Sequence, residues 1–216
     1  MRIAGASTSM IDYPDHAAVI IFLAGCNFRC PYCHNHAILN SGAGVSGFDS
    51  GVKSFVMDRT KICSAMVVSG GEPTLNEDLQ DLLYFARGLN LLTGLHTNGS
   101  NPSMLADLLA NRLLDYVAMD IKATPNKYDA ITGVKNSWAP VSESLSILMQ
   151  SDINLDLRTT CHPSLLTLGD LNQITKMTHG YPVSFKPARI NHGVLDPQRL
   201  HGPCYLPSDL PQTARA

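Results

Sequence analysis

Residues 17–35 read AAVIIFLAGCNFRCPYCHN, and this stretch decides both the fold and the chemistry of the chain. The continuous apolar run Val19–Leu23 is typical of a short strand buried on both faces of a sheet. The loop after it carries Cys26, Cys30 and Cys33 at C-x3-C-x2-C spacing. Three thiolates in one short loop can hold three corners of an iron–sulfur cube, and a fourth iron without a protein ligand stays open for chemistry.

The composition predicts a globular domain in a reducing compartment. Of 216 residues, 44% are hydrophobic and 16% charged, which is enough apolar material for a full core. A formal net charge of −2 offers no basic field for nucleic acid, and no apolar run approaches the roughly 18 residues of a membrane span. Six cysteines, three of them crowded together, favour a metal or redox site over a disulfide scaffold, so we expect a cytoplasmic protein.

The run before Cys26 also resembles a lipoprotein signal that ends in a lipidated cysteine. Its flank carries Asp12, Pro14 and Asp15, whereas a signal peptide needs a positively charged start. Removal of the flank would also separate Cys26 from the other two cysteines. We therefore interpret the run as a buried strand.

Apolar strands alternate with helical segments along the chain. The predicted strands are Val19–Leu23, Met66–Ser69, Leu91–His96, Tyr116–Ile121, Asn154–Thr160 and a last one that opens at Pro182–Phe185. The predicted helices are one capped by Asn76 and ending near Gly88, then Pro102–Arg112, Val141–Gln150 and Leu168–Met177. This alternation predicts an α/β fold with a mostly parallel sheet, as a doubly wound open sheet or as a partial barrel.

Two segments are expected to be irregular. The glycine- and serine-rich residues 40–51 predict a mobile loop beside the cysteines, and the proline-rich residues 191–216 predict an irregular tail whose last few residues are disordered. We accordingly divide the chain into a core domain, residues 1–190, and the tail.

A structural zinc site is the alternative to a cluster. His34 could complete a Cys3His set, but it is adjacent to Cys33, and neighbouring side chains do not easily converge on one tetrahedral ion. A distant fourth ligand would have to come from Cys63, Cys161 or Cys204.

Polar residues recur where the predicted strands end, which is where parallel α/β folds bind ligands. Each has a plain structural explanation as well: a turn, a surface ion pair, or a solvated arginine. These candidates are Gly70, Gly71 and Glu72 after the second strand, Thr97 and Asn98 after the third, Asp120 and Lys122 at the end of the fourth, and Arg158 in the fifth. His34, His36, His96 and His162 are weaker candidates, because a satisfied structural histidine is commoner.

The cysteine segment, together with GGEP, resembles the signature of the radical S-adenosylmethionine superfamily. That resemblance implies a partial (β/α)6 TIM-type barrel, one [4Fe–4S] cluster on Cys26, Cys30 and Cys33, and S-adenosylmethionine on the unique iron. It also implies an oxidoreductase that cleaves the cofactor to a 5′-deoxyadenosyl radical. It further implies that Tyr32 lines the adenine site. The cofactor-binding residues that it implies are Gly70, Gly71, Glu72, Thr97, Asn98, Asp120, Lys122 and Arg158.

Within the superfamily, residues 5–165 are similar to anaerobic ribonucleotide reductase activating proteins and pyruvate formate-lyase activating enzyme. The shared segments are GASTSMIDYP, CPYCHN, GGEP, TNG, MDIK and RTT. This resemblance implies a glycyl-radical enzyme as partner, with a low-potential donor such as flavodoxin or ferredoxin. His96 stands where the formate-lyase activator has an aspartate, so a monovalent-cation site built on that acid is not implied.

Two other functions remain open from the sequence. One is a small-molecule radical enzyme such as 7-carboxy-7-deazaguanine synthase, which has a similar size. The other is a non-catalytic zinc or iron–sulfur protein. The His34-Asn35 pair after the third cysteine favours the activating enzyme.

Overall fold

The computed structural model describes residues 1–40, 42, 45–46, 50–190, 193–202 and 204. Much of the predicted mobile loop and most of the tail, including its last residues, lie outside this set. The mobility and the disorder predicted for them therefore stay predictions.

In the described part of the chain, the centre of the fold is one sheet of eight strands. Its spatial order is β3-β1-β2-β4-β5-β6-β7-β8. The strands are β1 (Arg2–Tyr13), β2 (His16–Leu23), β3 (Val45–Ser46), β4 (Ala65–Gly70), β5 (Leu92–Thr97), β6 (Tyr116–Asp120), β7 (Asn154–Cys161) and β8 (Val183–Pro187). All neighbours from β2 to β8 run parallel, whereas β1 pairs antiparallel with both β2 and β3.

The described residues contain six α-helices, which connect the strands. They are α1 (Ser50–Arg59), α2 (Leu79–Gly88), α3 (Pro102–Ala110), α4 (Pro125–Thr132), α5 (Trp138–Gln150) and α6 (Leu168–Met177). Short 3-10 turns occupy His36–Ile38, Pro73–Leu75 and Pro197–Arg199. None of the helices in the described part of the chain is both long and apolar enough to cross a bilayer.

The described helices pack on one face of the sheet. Buried side chains from α1 to α6 join a single core with Val19, Ile21, Val68 and other residues of that face. The opposite face carries a small cluster that includes Ile20, Val67 and Tyr116. A doubly wound sheet would have helices on both faces. The structure is therefore the partial TIM-type barrel that was predicted.

The predicted elements lie within a few residues of the observed ones, with one wrong assignment and four omissions. Asn76 does not cap α2, because Asp78 occupies the N-cap position. Asn76 instead ends the turn Pro73–Leu75, and its side-chain amide donates back to the Pro73 carbonyl (3.1 Å). The strands β1 and β3 and the helices α1 and α4 were not predicted, and β3 lies within the segment that was expected to be an irregular loop.

The described part of the tail packs against the cysteine loop, defined here as residues 25–35. The backbone N–H of Leu195 donates to the Cys33 carbonyl (3.2 Å), and that of Asp196 to the Pro31 carbonyl (3.0 Å). Val194 is buried. The proposed domain division at residue 190 stays a prediction. Residues 194–196 lie beyond that boundary, and they pack against the cysteine loop of the core domain.

Candidate active site

A cavity of about 1000 Å³ lies on the inner face of the sheet, the face without helices. It extends from the turn between β1 and β2 to the carboxyl ends of the parallel strands. This volume is at the upper end of the range of about 300–1000 Å³ typical of small-molecule sites. All three cysteines of the motif line it, as do Tyr32 and His34. The clustering predicted for the motif residues is therefore present in the fold.

Backbone hydrogen bonds hold the cysteine loop in place. The N–H groups of Gly25 and Cys26 donate to the carbonyls of Ile38 and Leu39, at 2.8 and 3.0 Å. The Arg29 guanidinium donates to the Cys26 carbonyl (2.6 Å). These contacts hold the loop through its backbone N–H and carbonyl groups.

Gly70 and Gly71 allow the end of β4 to approach the cysteine loop closely. The Gly71 N–H donates to the Leu23 carbonyl (2.8 Å), and a Cβ on Gly71 would overlap the Gly25 carbonyl oxygen. Gly70 has a φ of +115°, a backbone conformation that residues with a side chain rarely adopt. A Cβ added at Gly70 would overlap the Leu23 backbone. Both glycines line the cavity, and their contact with a cofactor stays a prediction.

Glu72 lies behind the cavity wall and not on it. Its side chain is fully buried, and the Thr74 and Thr97 hydroxyls donate to one carboxylate oxygen at 2.6 and 2.7 Å. The Asn98 N–H donates to the other oxygen (2.6 Å). Burial raises the pKa of Glu72, and these hydrogen bonds oppose that rise. The carboxylate thus joins the ends of β4 and β5, and its position differs from the predicted direct contact with a cofactor.

Thr97 and Asn98 line the cavity at the end of β5. The Thr97 hydroxyl accepts from the Gly99 N–H (3.0 Å) while it donates to Glu72. The Asn98 amide nitrogen lies 3.8 Å from the Cys26 sulfur and 3.1 Å from Asn27 Oδ1. The loops after β2, β4 and β5 therefore form one connected unit.

Asp120 and Lys122 form an ion pair at the end of β6, with 2.8 Å between Nζ and Oδ2. Burial would raise the pKa of Asp120, but the neighbouring Lys122 ammonium overcomes this and lowers it. Nearby, the Tyr32 hydroxyl is buried and has no hydrogen-bond partner among the described residues. Buried hydroxyls are normally paired, so this hydroxyl is an exception, and other atoms of Tyr32 line the cavity.

Arg158 is tied into a polar network on β6 and β7. Its Nε donates to Asp156 (2.6 Å) and its Nη2 to the Tyr116 hydroxyl (2.6 Å). The backbone of Arg158 lies beside that of Asp120 in the sheet. Arg158 was predicted from the sequence, whereas Tyr116 and Asp156 were not. The alternating polar residues of β7, Asn154, Asp156, Arg158 and Thr160, were the signal that could have identified this wall.

The four candidate histidines occupy different environments. His96 lies on the inner face, its Nε2 within 3.0 Å of the Asp12 carbonyl, and burial followed by the charge of Arg158 lowers its pKa. His34 lines the cavity, whereas His36 does not. His162 is fully buried at the end of β7, away from the cavity wall.

The three motif thiols line one cavity, and three cysteine sulfurs in one loop suit the donor set of an iron–sulfur cluster. Among the described residues, no three His, Cys, Asp or Glu side chains converge as ligands of one metal ion. Cys63, Cys161 and Cys204 do not line the cavity, so they bring no fourth sulfur to it. Burial raises the pKa of all three motif thiols, that of Cys30 to about 11, so bound iron would have to stabilise the thiolates.

A partial parallel barrel with a three-cysteine loop at the carboxyl end of its first parallel strand defines the class of iron–sulfur barrel enzymes. The comparison with known families gives the particular family. Residues 20–166, more than half of the chain, match the Radical SAM superfamily, and the chain belongs to that superfamily. It is a radical SAM enzyme, and the family uses a [4Fe–4S] cluster and S-adenosylmethionine.

Two curated relatives come from the archaeon Methanocaldococcus jannaschii. The chain is 31% identical over 176 residues to "Putative glycyl-radical enzyme activating enzyme MJ1227", covering 78% of this chain and 71% of that protein. A second protein with the same description, MJ1632, is 24% identical over 183 residues, covering 82% and 68%.

Solved structures support the fold. SuiB of Streptococcus suis bound to S-adenosylmethionine matches with a TM-score of 0.63 at 13% identity, covering 82% of this chain and 44% of that one. Native anSMEcpe with bound AdoMet matches with a TM-score of 0.60 at 18% identity, covering 77% and 50%. The chain thus spans half or less of these two proteins, and at such identities the likeness concerns the fold alone.

Proposed function

We propose that this radical SAM enzyme installs a glycyl radical on an anaerobic ribonucleoside-triphosphate reductase. The observation that carries the proposal is the 31% identity to MJ1227 over 71% of its length. The ordered segments of the sequence, from SMIDYP to RTT, point to the same group of activating enzymes. The reaction would be abstraction of a hydrogen atom from a backbone glycine of the partner.

In this proposal the residues of the cavity have two roles, holding the cluster and binding the cofactor. Cys26, Cys30 and Cys33 hold the cluster. When bound, the cluster and S-adenosylmethionine supply the 5′-deoxyadenosyl radical that removes the hydrogen atom. The remaining predicted residues, Tyr32, Gly70, Gly71, Thr97, Asn98, Asp120, Lys122 and Arg158, face the cofactor, and Glu72 acts through the loops it joins.

The cavity supports a macromolecular substrate in two ways. Its volume is at the upper limit for a site that a small molecule fills alone. Lys186 and Arg189, which are exposed at the cavity wall on and just after β8, have no acidic partner in the described part of the chain. They offer charged contacts to a docking protein. The electron would come from a low-potential donor such as flavodoxin or ferredoxin, and the unpaired state of all six cysteines agrees with a cytoplasmic location.

The test is anaerobic reconstitution with and without a glycyl-radical reductase. We expect a doublet typical of a glycyl radical in the electron paramagnetic resonance spectrum, with stoichiometric 5′-deoxyadenosine, only when the reductase is present. A reductase variant with its target glycine replaced by alanine is the control. Release of 5′-deoxyadenosine that depends on a small molecule and never on the reductase would contradict the activating role.

A further inference from the structure

The Asn98 side chain is the only side chain in the described part of the chain that donates a hydrogen bond to a motif cysteine sulfur. Its Nδ2 lies 3.8 Å from Cys26 Sγ, and the residue is 6% exposed. The Phe28 N–H also reaches this sulfur (3.4 Å), and the Asn35 backbone donates to Cys33. For the Cys30 sulfur no donor occurs among the described residues.

The orientation of the Asn98 amide follows from its neighbours. The backbone N–H of Ser100 donates to Asn98 Oδ1 (2.9 Å), and a backbone N–H can only donate. The amide oxygen therefore points to Ser100 and the NH2 group to the cysteine loop. One of its protons goes to Asn27 Oδ1 (3.1 Å), which leaves the other for Cys26.

Asn98 is also fixed from behind. Its own N–H donates to the buried Glu72 carboxylate (2.6 Å), and Asn27 Nδ2 donates to the Ser100 hydroxyl (2.9 Å). The donor is thus preorganised before any ligand binds. A hydrogen bond to a thiolate ligand stabilises the more negative, reduced form of an iron–sulfur cluster and raises its reduction potential.

We infer that Asn98 is a positioning residue that raises the reduction potential of the cluster by donating a hydrogen bond to Cys26 Sγ. The inference needs Cys26 as a cluster ligand but is independent of the identity of the partner protein. It gives Asn98 a role that exists in the absence of S-adenosylmethionine, in addition to the predicted contact with that cofactor.

The experiment is a redox titration of the reconstituted cluster without S-adenosylmethionine, followed by electron paramagnetic resonance. Asn98→Ala removes the donor, and Asn98→Asp replaces it with a charged acceptor of the same shape. Asn101→Ala is the matched control, because Asn101 lies in the same loop and bonds to Thr74 and Met104 but not to Cys26.

We expect both Asn98 variants to shift the midpoint potential to more negative values, the aspartate variant further. At a fixed applied potential the ratio of reduced to oxidised cluster should fall about threefold in Asn98→Ala, as the loss of a fraction of one hydrogen bond would give. Asn101→Ala should titrate like the wild type.

Three outcomes would overturn the inference. The first is a wild-type potential in Asn98→Ala, even if its affinity for S-adenosylmethionine falls. The second is an equal shift in Asn101→Ala, which would indicate a general effect of the loop. The third is failure of both Asn98 variants to assemble a cluster while the control succeeds, which would make Asn98 a structural residue only. Because the isolated enzyme is titrated, none of these outcomes bears on glycyl-radical activation.

Discussion

The cysteine loop and the inner side chains of β6 and β7 line the same cavity but are stabilised in different ways. Backbone hydrogen bonds hold the loop, and in the described part of the chain its three cysteines form no disulfide. On β6 and β7 the charges are paired at short range, Asp120 with Lys122 and Asp156 with Arg158. The cysteine loop thus offers ligands to a metal, whereas the charges on β6 and β7, called here the paired wall, are already balanced by ion pairs within the protein. Substitutions in the two regions should therefore have opposite effects on metal binding and on stability.

The largest expected effect is loss of the cluster in Cys26→Ala. A cubane held by two protein sulfurs instead of three should not survive, so bound iron and all cleavage of S-adenosylmethionine should be lost. The thiol makes few structural contacts, and the thermal midpoint of the metal-free protein should change by only a few degrees. Iron content and calorimetry measure the two properties, and a brown, active variant would contradict the assignment.

The next effect concerns Glu72, which joins the loops on the thiol side of the cavity. Glu72→Ala leaves the buried donors of Thr74, Thr97 and Asn98 without an acceptor, and we expect a loss of roughly 3 kcal/mol in the free energy of unfolding. Urea denaturation of the metal-free protein measures it. Glu77→Ala is the control, because Glu77 is close in sequence to Glu72 but exposed. A loss below about 0.5 kcal/mol in Glu72→Ala would refute the role assigned to the carboxylate.

A smaller effect is expected on the paired wall. Asp156→Ala leaves the Arg158 guanidinium without its carboxylate, and because both groups are partly exposed the loss should be about 1 kcal/mol. Iron binding by the cysteines should persist in this variant. If iron content falls as far as in Cys26→Ala, the two regions are not independent and the comparison fails.

The smallest effect is the pH dependence contributed by Asp120. Its pKa is lowered in the folded state, so ionised Asp120 stabilises the fold above its unfolded pKa of about 3.9, and this stabilisation is lost as the pH falls through the lower folded value. The difference in urea midpoint between the wild type and Asp120→Asn should therefore be present at pH 7 and disappear in strong acid. A difference that grows on acidification would have the wrong sign.

The sequence predicted the parallel strands well because they carry clear apolar patterns, continuous in β2 and β4 and alternating in β7. It did not predict β1, because small and polar residues dominate the middle of its sequence RIAGASTSMIDY. The segment is a strand because it pairs with β2. The helix α4 buries only Tyr128, Ile131 and Thr132, too few for a clear helical period.

The site was predictable as a set of residues but not as a set of contacts. Nothing in the segment GGEP indicates that Glu72 turns away from the cavity to join two loops. The contact between Asn98 and Cys26 spans 72 positions of sequence, and only the parallel order of β2, β4 and β5 brings the two residues together. Partners at such separations depend on the strand order, which no local pattern specifies.

Mössbauer spectroscopy of the anaerobically reconstituted wild-type protein, recorded before and after addition of S-adenosylmethionine, tests the central claim most directly. We predict one [4Fe–4S] cluster per chain, with a single iron site whose parameters change when the cofactor is added. A spectrum without a cubane, or with four iron sites that do not respond to the cofactor, would show that the cysteine loop does not leave an iron open.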